Sequence, residues 1–457
     1  MTRTVSRWLA TLLCSVVASA QVVAQGEQPT ETALCFTLPA GWSFVESPVA
    51  IRKPAPGTDR LLPSDGFVAV VSGMSSDDSG MRSRPLPSVG LAEVRFDLDG
   101  TGRVTWTKWL ADAGASVRLA GGWDMTSDGV PDVLVCISPR DNFVFTGGTL
   151  MLVSSADGGI HSTTSVATDG LALGAGVPAV EDAADTSNRF LLEARNNTPL
   201  AKLVEFDVAS SVARVVPLAT DGARMVYDGL AWLGQENGRA DPSIAVRIQE
   251  EKSVDWLLPD SRVVAIDLGT HEQRTLYKGK FAADMCRAVA VDGRASDDVM
   301  IAEVREEADE CVWLELRRVA SRTGEILCTS TFPLDDKVDA GGLMASFFGT
   351  SIEAWDDMDG DGTRDYACSI ACTCPHDAWR LLLVSGATGA QIGCIDDAML
   401  ARHTGPSGPH GIAPWITVPL LITPGAAPAI GIGCGENRFE SVPSIAVLDL
   451  SDCLSAR

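Results

Sequence analysis

The stretch Trp355-Asp356-Asp357-Met358-Asp359-Gly360-Asp361-Gly362-Thr363-Arg364-Asp365 carries carboxylates at alternate positions 357, 359 and 361, a glycine at 362 and a closing carboxylate at 365. Alternation turns every second side chain inward. The glycine permits a sharp turn, and the backbone carbonyl of Thr363 can fill the next place. A short loop surrounds a hard cation with oxygen in this way; calcium takes roughly six to eight such ligands at about 2.3–2.6 Å. An EF-hand would need a Glu at the twelfth loop position and an exiting helix. The chain has Cys368 there, and Tyr366-Ala367-Cys368-Ser369-Ile370-Ala371 reads as a strand. The loop therefore joins two strands, and the local fold is β.

The flanks extend the reading. Phe348-Gly349-Thr350-Ser351-Ile352 precedes the loop, and Leu381-Leu382-Leu383-Val384-Ser385-Gly386-Ala387-Thr388-Gly389 follows it. The unit resembles an FG-GAP repeat, the blade of integrin-alpha-like propellers and of related VCBS-repeat secreted proteins. It matches Phe-Gly-x-Ser, Asp-x-Asp-x-Asp-Gly-x-x-Asp, and a strand ending in Ser-Gly-Ala-Thr-Gly. Ser369-Ile370-Ala371 stands where the family has Gly-Ala-Pro, and the resemblance is confined to about Ser346–Cys394. It implies a structural calcium ion that pins a hairpin loop, not a catalytic one.

Outside this unit the chain shows short apolar runs separated by Gly, Asp, Ser and Pro, the pattern of all-β proteins. Two families of runs recur. One ends in a small-residue turn and begins at positions 96, 153, 206, 266, 319, 384 and 448, seven copies spaced by 53 to 65 residues. The other precedes it each time: Phe67–Ser72, Val133–Ser138, Phe190–Arg195, Ser243–Ile248, Val299–Val304, Tyr366–Ala371 and Ala429–Cys434. Recurrence at this period with four strand slots is the signature of a propeller blade. The expected fold is all-β, a seven-bladed β-propeller over residues 33–457. A pair of β-sandwiches is the plainer alternative. No strand follows the last turn, because the chain ends at Arg457. Ala33–Leu38 is expected to fill that slot, closing the ring by pairing the N-terminal strand with the last blade. Cys35 and Cys453 would then share a blade and could form a disulfide; Cys311 and Cys328 are another candidate pair.

A second loop, Asp124-Met125-Thr126-Ser127-Asp128-Gly129-Val130-Pro131-Asp132, repeats the first, fifth and ninth carboxylates. Thr126 replaces the third, Val130 takes the place of Thr363, and the lost charge weakens the site. Gln235–Asp241 keeps Asn237, Gly238 and Asp241 only, a turn that has lost its ion. Cys368, Cys372, Cys374 and His376 form a soft-ligand cluster that matches no common zinc spacing. In an oxidising compartment disulfides are the expected use of these thiols. The chain has five histidines, no His-Glu-x-x-His and no Gly-x-Ser-x-Gly. His403 and Ser407–His410 fall in a Gly/Pro connector. Trp109, Trp123, Trp232, Trp313, Trp355, Trp379 and Trp415 recur about once per repeat, and packing between blades is the default reading.

The net charge of −24 argues against nucleic acid, whose phosphates require clusters of Lys and Arg. Residues 1–24 read as a secretory signal, with Arg3 and Arg7 before the apolar run Trp8–Val17 and small residues at Ala18, Ser19, Ala20 and Ala24. Residues 25–32 form a polar linker. Later apolar stretches are too short or too Pro-interrupted to span a membrane. Of twelve cysteines, eleven remain once Cys14 leaves with the signal, an odd count. The expectation is a secreted, periplasmic or cell-surface protein that binds calcium structurally. It would bind an extracellular or cell-surface protein or glycan, as in adhesion. A propeller hydrolase or lyase acting on extracellular polysaccharide is one alternative, and a structural module for surface assembly is another. No catalytic set is legible.

Overall fold

The computed structural model describes residues 34–54, 61–74, 87–98, 100–112, 115–141, 144–167, 172–178, 189–195, 202–216, 224–235, 242–249, 260–270, 272–280, 283–288, 298–306, 312–335, 347–355, 357–372, 379–404, 411–422, 428–435 and 442–454. The expected signal and linker, Cys311, Cys374, His376 and the turn at 236–241 lie outside them. The fold is all-β. Among the described residues there are seven antiparallel sheets of four or more strands, with a two-stranded hairpin of Arg140–Asp141 and Val144–Phe145.

The sheets follow one another along the chain. In sheet I, Ser43–Phe44 and Val49–Pro54 both pair with Leu61–Met74, followed by Pro87–Phe96 and Gly102–Asp112. Sheet II is Ser116–Trp123, Asp132–Ser138, Gly148–Ser154 and Ile160–Val166. Sheet III runs Ala172–Pro178, Arg189–Arg195, Lys202–Asp207 and Val212–Val216, and sheet IV Arg224–Gln235, Pro242–Gln249, Asp260–Asp267 and Gln273–Lys280. Sheet V has Ala283–Ala288, Asp298–Glu306, Val312–Ala320 and Ile326–Asp335, and sheet VI Phe347–Ala354, Tyr366–Cys372, Trp379–Val384 and Gln391–Asp396. Sheet VII combines Gly411–Leu420, Ala429–Gly435 and Ser444–Asp449 with the N-terminal strand Leu34–Thr37. The register there sets Leu34 opposite Val447 and Thr37 opposite Ser444.

Successive sheets share cores, and this explains the unbroken apolar runs. On Asp298–Glu306, Val299 and Ile301 pack towards sheet IV with Ala245 and Val263, while Met300 and Ala302 pack towards sheet VI with Ile352 and Tyr366. Further cores join I to II, II to III and VI to VII. Sheet III touches sheet IV through their first strands. Phe36, Phe67, Val94, Ile416, Val418 and Ile445 form one core between sheet VII and sheet I. Two stacked sandwiches would not give this serial pattern.

Every copy of the small-residue turn follows the third strand of its sheet. Three copies share one hydrogen-bond pattern. The amides of Gly158, Gly324 and Gly389 donate to the carbonyls of Ser154, Ala320 and Ser385 at 3.0, 2.8 and 2.8 Å. These glycines have φ of 71°, 72° and 72°, the left-handed region that favours glycine. The preceding sheet lies directly against each: a Cβ would meet Trp106 at 2.9 Å, the Leu276 carbonyl at 3.0 Å and Ser330 Oγ at 2.5 Å. The carbonyls of Ser155, Ser321 and Gly386, equivalent within the turn, accept bonds from Trp106 Nε1 (2.8 Å), Arg274 Nε (3.1 Å) and Arg318 Nη1 (3.1 Å). The repeated turn is therefore a socket for the neighbouring sheet.

Two expectations change. Cys35 and Cys453 are not bonded: Cys35 meets Cys434, and the Cys453 thiol donates to the Asp449 carbonyl at 3.3 Å. The chain turns into a short helix, Leu450–Cys453, after the last strand and so carries Cys453 off the sheet. His403 is not in a loop but in the helix Asp397–Thr404, where the amide of Met399 is capped by Asp396 Oδ1 at 2.7 Å. Its apolar pair Met399 and Leu400 is too short to show a helical stripe. Among the described residues, no helix is long and apolar enough to cross a membrane.

Candidate metal loop

The loop between Phe347–Ala354 and Tyr366–Cys372 brings Asp357, Asp359 and Asp361 together, with one carboxylate oxygen of each within 4.8 Å of the others. The backbone is folded around these side chains. Asp357 accepts the amides of Gly360 (2.6 Å), Asp361 (3.1 Å) and Gly362 (2.9 Å). Asp359 accepts Asp361 N at 3.1 Å, and Asp361 accepts Thr363 N at 2.8 Å and the Ser385 hydroxyl at 3.2 Å. Three carboxylates at this spacing repel one another unless a cation neutralises them, so the group can hold a metal ion.

Asp365 has a different task. It is fully buried. Its Oδ2 accepts the amides of Met358 (2.6 Å) and Asp359 (3.1 Å), and its Oδ1 accepts Gly386 N at 3.0 Å. It clamps the loop to the following turn and stands outside the carboxylate trio. Burial, partly offset by these donors, lifts its pKa to about 6. Gly386 is required by closeness: a Cβ there would lie 1.8 Å from the Arg364 carbonyl.

The 124–132 loop is built the same way with fewer charges. Asp124 accepts the amides of Asp128 (3.2 Å) and Gly129 (2.8 Å), and Asp128 accepts Val130 N at 2.9 Å. Asp132 Oδ2 takes the amides of Met125 and Thr126, both at 3.0 Å, and the Thr126 hydroxyl at 3.1 Å. Ser127 and Gly129 take positive φ, 62° and 85°, as Gly360 and Gly362 do at 77° and 88°. Among the described residues only the trio at 357, 359 and 361 gathers three carboxylates. Thr126 turns its hydroxyl onto Asp132 where Asp359 would supply charge. Asp132 is buried, which raises its pKa.

Sequence reasoning did not single out Glu353. It lies on the first strand of sheet VI, partly exposed, beside Trp355, Arg52, Ser47 and Thr417. Desolvation pushes its pKa up. Ser47 Oγ in turn bridges to Thr417, donating to its carbonyl at 3.1 Å and accepting its amide at 3.4 Å. The residues come from three sheets, so no local motif announces them. Cys368 is buried within a core, and Cys374 and His376 lie outside the described residues. Trp123 stacks on Phe190 with ring centres 5.7 Å apart, and Trp355 packs between sheets VI and VII.

No protein-family model matches the chain, and no curated protein does. Solved structures align at low similarity. An uncharacterized protein from Listeria monocytogenes EGD-e has TM-score 0.44 and 9% identity over 90% of this chain and 94% of its own. AofleA from Arthrobotrys oligospora has TM-score 0.40 and 8% identity over 79% and 88%. An oligogalacturonate lyase from Vibrio parahaemolyticus has TM-score 0.35 and 11% identity over 74% and 84%. Likenesses this distant carry no argument about what the chain binds or does.

Proposed function

We propose that the chain is an exported, calcium-binding seven-bladed β-propeller of the FG-GAP/VCBS kind that acts as a protein- or glycan-binding module. Three features support the architecture: seven sheets in sequence, contacts from each to the next, and a shared core between the last and the first. The N-terminal strand in sheet VII would be the ring closure. The observation that carries the ion is the trio Asp357, Asp359 and Asp361. An all-oxygen loop with flexible geometry suits calcium better than magnesium, which keeps its waters and demands an octahedron. The ion would be held by the trio and the Thr363 carbonyl, with Asp365 fixing the loop beneath. It would be structural, since the trio already sits on a closed hairpin. Binding rests on the analogy with the propellers that the sequence resembles, and the N-terminal signal supports export.

The test is thermal unfolding with calcium and with chelator, repeated for Asp361→Ala. A ligand at about a hundred times its Kd adds roughly 2.7 kcal/mol to the folded state. Wild type should gain that order of stability and Asp361→Ala should lose most of the gain. A calcium-insensitive wild type, verified metal-free, sinks the ion reading.

Glu353 favours a second reading, an enzyme acting on extracellular polysaccharide. A desolvated carboxylate beside an arginine and two hydroxyl residues is a candidate acid or base. Loss of polysaccharide cleavage in Glu353→Gln, with unchanged melting, would support it; a chain with no such activity would not.

A further inference from the structure

The turn after the third strand carries one apolar–Asp–apolar triplet in three sheets: Phe96-Asp97-Leu98, Phe206-Asp207-Val208 and Leu448-Asp449-Leu450. In sheets III and VII the last residue is buried, Val208 at 6% exposure and Leu450 at 4%, each within the core shared with the preceding sheet. In sheet I that residue is Leu98, and it is 77% exposed. Its neighbour across the seam is sheet VII. Beside Leu98 this seam holds a cavity of about 440 Å³. The walls are Pro54, Leu62, Pro63 and Phe96 from sheet I, with Leu421 and Ile422 from just after the strand Gly411–Leu420 of sheet VII.

The polar groups of the lining set the kind of ligand. Each charged side chain there is already paired: Lys53 Nζ lies 4.0 Å and Arg95 Nη1 3.8 Å from Asp65 Oδ1, and Arg103 Nη2 lies 3.3 Å from Asp97 Oδ1. A charged ligand would leave water without gaining a free countercharge, which is costly. Ser64 differs. It lines the cavity at 7% exposure, and its hydroxyl has no hydrogen-bond partner, although its carbonyl accepts the Leu421 amide at 3.0 Å. A buried hydroxyl without a partner is destabilising, and a ligand that supplies one removes that cost. Small-molecule sites are of this kind, roughly 300–1,000 Å³, apolar, with a few placed polar groups. We propose that the cavity binds an uncharged, largely apolar small molecule bearing one hydroxyl or carbonyl oxygen, which meets Ser64 while Leu98 covers the apolar part.

The experiment titrates β-naphthol into the full chain and follows its fluorescence, with calcium saturating so that the result does not depend on the metal loop. The expected result is saturable uptake of one equivalent. β-Naphthoate and β-naphthylmethylammonium, the same rings with a charge, should bind at least about tenfold more weakly. Ser64→Ala should weaken β-naphthol about fivefold and leave naphthalene unchanged. Leu98→Asp sets a charge at the mouth without touching the core, because Leu98 is exposed, and should remove most of the uptake while the melting curve stays unchanged. No saturable uptake, equal uptake of the charged analogues, or uptake unchanged in Leu98→Asp each overturns the site. Self-association that Leu98→Asp abolishes, with no naphthol uptake, would assign Leu98 to a contact with a second copy of the chain and likewise overturn it.

Discussion

Asp365 shows how a carboxylate can carry a task that its spacing does not announce. Its spacing marks it as the last member of a ligand set. In the fold it saturates three amides and anchors the loop. Sequence counts carboxylates but does not count the loop amides that need acceptors. The same role falls to Asp132, so a loop with one carboxylate fewer still takes the shape. A pH dependence follows. The folded pKa of about 6 exceeds the unfolded value near 3.9, so the folded state binds the proton more tightly. The stabilisation is complete below about pH 4 and is lost as pH rises through 6, on the order of 2–3 kcal/mol. Melting of the calcium-free protein should therefore fall across that window more steeply than that of Asp365→Asn. Equal slopes would show that Asp365 does not titrate there.

The turn sockets make predictions at the scale of elements. In Gly386→Ala the new methyl strikes the Arg364 carbonyl, and the strand cannot move away without breaking the Asp365 clamp. The expected cost is at least about 2 kcal/mol, with weakened calcium response, read by chemical denaturation. Trp106→Phe keeps most of the packing and removes the bond to the Ser155 carbonyl, costing about 1 kcal/mol. A cost within error would mean the socket is held by shape alone. The small-residue turns were legible as repeats in sequence. Their purpose was not, because the group that fills each of the three sockets lies 47 to 68 residues away in the chain. The helix Asp397–Thr404 escaped for a different reason: its buried face is two residues wide.

On the scale of the molecule, sheet VII depends on both ends of the chain. Phe36 sits in the core shared by sheets VII and I, so Phe36→Ala should cost roughly 3–5 kcal/mol. Removing residues through 38 exposes Ser444–Asp449 as an unpaired apolar edge, the kind that templates aggregation. The truncated protein should form higher oligomers in light scattering while the full chain keeps one smaller size. An unchanged size would show that this strand does not seal the fold.

Sequence by itself determined the β class, the seven strand pairs with their turns, and the acidic loop, because these are encoded by neighbours. Alternation sets a loop's inward side chains, and apolar runs set a strand buried on both faces. Tertiary structure decided which carboxylates face one another, which turn holds which tryptophan or arginine, and that His161 pairs with Asp132. Those contacts join residues distant in the chain, and a one-dimensional pattern carries no record of distance across sheets.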